Sequence, residues 1–108
     1  MSPELNTLSD LNKIDRFTDV PSDINTFFSD LLWSDPISEI PKEKMRKYKY
    51  HENPRGTGKI FGLVPTRKFL NQNKLVSIIT SHEPPFEGYE PHYFGEMRKI
   101  SKLYHSIL

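Results

Sequence analysis

The clearest hydrophobic periodicity in the chain is carried by Ile24, Phe27, Phe28, Leu31 and Leu32. They stand at i, i+3, i+4, i+7 and i+8, one face of an amphipathic helix. Pro21 breaks the chain before it and Ser22 is the expected N-cap. Pro36 stops it, because the residue before a proline is pushed out of the α region. A shorter turn of helix is expected after Thr7, with Asp10 at N3, where its charge suits the helix dipole, and Leu8, Leu11 and Ile14 behind it. A third helix should hold Pro65 in its first turn and run to about Asn73, with Phe69 and Leu70 inward.

The polar and β-branched stretches divide the rest. "KLVSIIT" is a compact β-branched run between polar residues and reads as a buried strand. "SHEPPFEGY" follows it as a loop. Short strands are expected at Lys59–Phe61, Tyr89–Phe94 and Lys102–Leu108. Ile37 to Tyr50, "ISEIPKEKMRKYKY", is charged and weakly periodic, an exposed excursion with one helical turn. The sum is an α/β chain without internal repeats.

Composition narrows the function classes. The 108 residues allow a single domain, and a formal charge of +1 gives no basic footprint for nucleic acid. No stretch approaches the ~18 apolar residues of a membrane span, and no signal peptide opens the chain, so no membrane partner is expected. The absence of cysteine excludes a disulfide scaffold, a thiolate zinc site and a Cys nucleophile. It fits a reducing compartment, and a cytoplasmic location is expected.

Candidate chemistry sits in three places. His82 follows the strand "KLVSIIT", at the carboxyl end where ligand-binding groups of α/β sheets gather, and could bind a metal or move a proton. Arg55 lies in "NPRGTG", where glycine-bounded backbone would hold a guanidinium as a clamp for phosphate or carboxylate. In "DLLWSDP", Asp35 could orient a basic group or a metal ligand, and Trp33 could wall a groove. Each also has an ordinary reading: a loop histidine, a turn arginine, a helix stop and a core tryptophan.

Taken in order, "SPELNTLSDLNKIDRFTDVP", "DLLWSDP", "NPRG", "FG" and "SHEPPFEGY" resemble the metal-dependent protein serine/threonine phosphatases. "SPELNTL", "IDRF" and the long "ISEIPKEKMRKYKYHE" excursion are most similar to the calcineurin branch. The resemblance implies part of a two-sheet β-sandwich with flanking helices, the C-terminal half of a metallophosphoesterase catalytic domain filling residues 1–108. It implies hydrolysis of phosphoserine and phosphothreonine by water activated on two divalent ions of iron, zinc or manganese. By the same resemblance His82 is a metal ligand, Arg55 clamps the substrate phosphate, Asp35 supports the centre, Trp33 flanks the groove, and Tyr89 lies where substrate peptides dock.

The departures matter as much. The family's Asp-x-His-Gly, Gly-Asp-x-x-Asp-Arg-Gly and Gly-Asn-His-Glu motifs are not present, the histidine that precedes its Ser-Pro-Glu gives way to Met1, and Thr80 replaces a family arginine. The segments that bind calmodulin and a calcium-binding regulatory subunit are not in these 108 residues either. One retained ligand cannot make a two-metal site, which needs roughly three protein ligands per ion. The expected behaviour is an incomplete phosphatase, inert alone, with the strands around Val76 to Ile79 left without their partner sheet. The alternative is a binding or regulatory module derived from a phosphatase.

Overall fold

The computed structural model describes residues 1–19, 26–37, 41–45, 47–81, 86–93 and 98–103, with backbone alone at 42, 45, 89–93 and 98–103. Within these residues the elements run α1 (Leu8–Leu11), α2 (Phe27–Trp33), β1 (Asp35–Pro36), α3 (Lys42–Met45), β2 (Tyr50–Glu52), β3 (Lys59–Phe61), α4 (Leu63–Gln72), β4 (Ile78–Thr80), β5 (Tyr89–Tyr93) and β6 (Arg98–Leu103). They build two three-stranded sheets, ordered β1-β3-β2 and β4-β6-β5. Each sheet has one parallel and one antiparallel pairing: β1 with β3 and β4 with β6 are parallel, β2 with β3 and β5 with β6 antiparallel. A mixed α/β fold of two small sheets with flanking helices is what the resemblance implied.

The first sheet centres on β3. Phe61 lies opposite Pro36 on one side and Tyr50 on the other. It is buried with Leu63, and Met1, Ile37, Tyr50 and Ile78 pack against the pair, so β4 of the second sheet closes onto the first through Ile78. The remaining space between the sheets is a cleft of about 640 Å³ lined by residues such as Leu31, Phe61, Phe69 and Ile78. The Thr80 hydroxyl in its wall is buried and has no hydrogen-bond partner among the described residues.

Helix α4 follows β3 directly, and it behaves as its sequence predicts. Pro65 sits in the first turn, where a missing N–H costs nothing, and Phe69 and Leu70 point inward. Its end is a Schellman motif: Leu75 N–H donates to Leu70 O and Lys74 N–H to Asn71 O, with Lys74 left-handed at φ 54. Asn73 then fastens this end to the N-terminal segment, accepting Leu8 N–H at 3.0 Å and donating to Asn6 O at 2.9 Å. Helix α1 is held by Asp10, which accepts the Thr7 and Asn6 amides. The Lys13 ammonium, and then these two amides, hold the Asp10 carboxyl well below the ordinary carboxylate range.

Four expectations need correction. Helix α2 begins at Phe27, not near Ser22; Thr26 is its N-cap and accepts Ser29 N–H at 3.1 Å, and residues 20–25, Ser22 and Ile24 among them, lie outside the described residues. Its buried face is also not the apolar stripe. Ser29 and Asp30 are the buried residues while Leu32 is 44% exposed, because both polar side chains find partners, described below. The run "KLVSIIT" forms a strand only at Ile78–Thr80; Val76, before the strand, is 85% exposed, and Ile79, on the face opposite the core-packed Ile78, is 65% exposed. The last strand among the described residues, Arg98–Leu103, begins earlier than the expected Lys102–Leu108, and residues 104–108 lie outside the description. The charged excursion does hold one helical turn, α3, but its last residue, Tyr50, already belongs to β2.

Candidate functional site

The end of α2 and the start of β1 set one side of the site. Trp33 is the last helical residue, Ser34 turns extended, and Asp35 enters β1 as the pre-proline rule requires. The parallel pairing of β1 with β3 places Asp35 opposite Ile60, so the loop that leads into β3 must pass over Trp33 and Asp35. That loop is "NPRGTG", which carries Arg55.

Asn53 joins the two sides. Its amide Nδ2 donates to Asp35 Oδ2 at 2.9 Å and to the Trp33 carbonyl at 3.1 Å. Its Oδ1 accepts the Arg55 N–H at 3.0 Å, closing an Asx turn. Arg55 Nε donates to the same Asp35 Oδ2 at 3.0 Å. One buried amide thus orients the carboxylate and the backbone of the arginine that the carboxylate grips. The ion pair itself is partly wet, with side-chain exposures of 38% for Arg55 and 17% for Asp35, so it serves orientation more than stability.

Two further contacts fix the loop. Ser29 and Thr57 share a hydroxyl–hydroxyl bond at 2.8 Å, and Lys59 N–H donates to Ser34 Oγ at 2.9 Å. Gly58, left-handed at φ +71, lies so close to Trp33 that a Cβ would stand 2.5 Å from the Trp33 carbonyl carbon. The other buried polar residue of α2, Asp30, accepts the Ser2 hydroxyl at 2.9 Å, and Tyr50 OH donates to Ser2 O. Burial, reinforced by the Asp30 charge, pushes the Tyr50 phenol up to about 12.

The structure therefore brings together three of the residues singled out from sequence, Trp33, Asp35 and Arg55. Tyr89 opens β5 in the other sheet, with its backbone alone described, and His82 lies outside the described residues. Asn53, Ser29 and Thr57 were not singled out, and Gly58 only as one of the glycines that bound the Arg55 backbone. The signal for Asn53 was present: an Asn two residues before an arginine, in a Pro-Gly-punctuated turn, is the ordinary Asx-turn signature. Removing it should be costly. Asn53→Ala leaves the Trp33 carbonyl and one Asp35 oxygen short of a buried donor, expected to cost about 1–3 kcal/mol by urea unfolding. Asn53→Asp keeps the shape but sets a carboxylate against Asp35, and should do no better.

A pair of divalent ions is what the resemblance implies for such a centre. Among the described residues no three His, Asp or Glu side chains converge as an ion site. The Asp35 oxygen that faces the loop is already shared by Asn53 and Arg55. The described donor set does not fit the ions, and the arrangement by itself is a guanidinium oriented by a carboxylate, suited to holding a tetrahedral oxyanion.

No protein-family model matches the chain. Individual relatives do. It is 34% identical to the serine/threonine-protein phosphatase PP2A-like PPG1 of Candida albicans over 96 residues, which cover 89% of this chain and 21% of that protein. It is 35% identical to the serine/threonine-protein phosphatase 2B catalytic subunit A1 of Saccharomyces cerevisiae over 96 residues, 82% of this chain and 17% of that one. The fold superposes with TM-score 0.69 on a Saccharomyces cerevisiae protein serine/threonine phosphatase with similarity to human phosphatase PP5, at 34% identity, covering 91% of this chain and 26% of that chain. The chain spans about a fifth of the length of these curated relatives. By sequence and by fold, the chain is a part-length homologue of the serine/threonine protein phosphatases.

Proposed function

We propose that this chain forms the arginine-bearing wall of a serine/threonine phosphatase centre and does not turn over phosphoprotein by itself. The observation that carries this is the Asn53–Asp35–Arg55 arrangement, in which one buried amide and one carboxylate aim a single guanidinium. In this reading Arg55 binds the phosphate of phosphoserine or phosphothreonine through charge-assisted hydrogen bonds. Asp35 and Asn53 position it, Trp33 bounds the groove, and His82 supplies one metal ligand. Tyr89 lies toward the substrate peptide. Hydrolysis on two ions needs roughly three protein ligands for each, and the family motifs that carry most of them are not among these 108 residues. A cytoplasmic setting fits the cysteine-free sequence.

The test has two arms. With manganese added, the chain and its His82→Ala variant should release phosphate from a phosphopeptide at the same background rate; turnover abolished by the substitution would overturn the inert reading. Inorganic phosphate should be sensed by the fluorescence of the single tryptophan, Trp33, and Arg55→Ala should weaken that response by roughly tenfold or more. An unchanged response would remove Arg55 from the phosphate site. The exposed Val76, Ile79 and Phe86 favour one second reading, a docking module on the β4–β6–β5 side. Partner capture that depends on Tyr89, with no phosphate response, would select it.

A further inference from the structure

A second cavity, of about 300 Å³, lies between the N-terminal segment, the approach to β2 and helix α4. None of Trp33, Asp35, Asn53 or Arg55 lines it. Its apolar lining comes from Leu5, Val64, Pro65 and Phe69. Lys49 and Lys68 also line it, both on exposed residues, and no acidic residue does. Neither Lys49 nor Lys68 makes an ion pair with a described residue, as is also true of the exposed Lys44, Lys47 and Lys74, but only these two lysines line the cavity. In a chain of net charge +1 this is a local arrangement, not a general basic surface. The phenol of Tyr50 adds no charge there, because its hydroxyl is bonded to Ser2 O and burial raises its pKa.

We infer that this cavity is a docking site for a partner peptide in which one large apolar side chain is flanked by Asp or Glu. The volume stands at the lower end of ligand clefts, room for a single large side chain. The two lysines come from different parts of the chain, Lys49 from the strand approach and Lys68 from the middle of α4. Carboxylates on both flanks of the anchor residue meet them by charge complementarity, which sets specificity and on-rate. The inference stands apart from the phosphatase reading, since the cavity shares no residue with the Arg55 site.

The experiment is a fluorescence-anisotropy titration of the full chain with a labelled Gly-Glu-Asp-Phe-Asp-Glu-Gly peptide. Saturable one-to-one binding is expected, weakened about tenfold in the K49E/K68E variant, whose two exposed positions leave the fold intact. The same peptide with Gly in place of Phe should bind at least about tenfold more weakly, because the apolar anchor is gone. Arg55→Ala should leave the peptide affinity unchanged. Absence of saturable binding overturns the inference. So does equal binding by K49E/K68E, or equal binding of the Gly peptide, which would reduce the effect to bulk charge. Binding to phosphatidylserine vesicles that depends on Lys49 and Lys68, with none to the peptide, would overturn it in favour of a membrane surface.

Discussion

Gly58→Ala is expected to lift the Arg55 loop off the end of α2 and to destabilise the chain by roughly 2–5 kcal/mol. Two costs add. The residue is left-handed at φ +71, a conformation that costs an L side chain about 1–2 kcal/mol. The new methyl would also overlap the Trp33 carbonyl and the Ser34 nitrogen, within 2.5 to 2.7 Å. Those are backbone atoms, with no rotamer to yield, and forced overpacking adds about 1–3 kcal/mol. The loop can relieve this only by moving away, which lengthens the Asn53 bond to the Trp33 carbonyl and the Ser29–Thr57 bond. Urea unfolding measures the first effect and Trp33 fluorescence the second. A midpoint and spectrum equal to wild type would show that the loop does not rest on α2. Gly56, left-handed at φ +79 with open space where a Cβ would stand, is the control: Gly56→Ala carries the backbone cost alone.

Phe61→Ala is the other large effect, about 3–5 kcal/mol. The side chain is fully buried at the centre of the first sheet and is the contact through which Ile78 joins the second. Its removal takes away the apolar area and leaves a cavity that Pro36 and Tyr50, fixed by strand pairing on either side, cannot fill. Small domains have only about 5–15 kcal/mol in total, and this one also exposes Val76 and Ile79. The variant should lose its cooperative thermal transition by circular dichroism, while Phe61→Leu should retain part of it. A Phe61→Ala chain that melts as wild type would move the core elsewhere.

The two effects mark what could be read from sequence. Helix α4 was legible from end to end because its inward residues, its early proline and its stop agree, and local and tertiary preferences point the same way. Strand β3 was legible for a similar reason, being short and bounded by glycine. Helix α2 was not: its apolar stripe announced a buried face, yet Ser29 and Asp30 are buried, each with a hydroxyl partner 28 residues away in sequence. Periodicity measures apolar moment and cannot see a distant Ser2 or Thr57. The strand "KLVSIIT" failed for a related reason, since a β-branched run states only that cover is wanted, not that both faces of the strand receive it. At the site, Arg55 and Asp35 could be singled out by residue type, but their meeting depends on the β1–β3 register, which no local pattern encodes. Asn53 was legible as a turn former and illegible as the residue that binds both.

The bonds between α2 and the 53–59 loop have one more consequence. The Trp33 carbonyl, Ser34 Oγ and Ser29 Oγ all take their partners from the loop. Helix end and loop are therefore one cooperative opening unit rather than two. Amide hydrogens such as those of Arg55, Lys59 and Ser34, though scattered in sequence, should share a single exchange free energy. An anion held by Arg55 would slow exchange at Ser34 in the helix cap as much as in the loop that touches it.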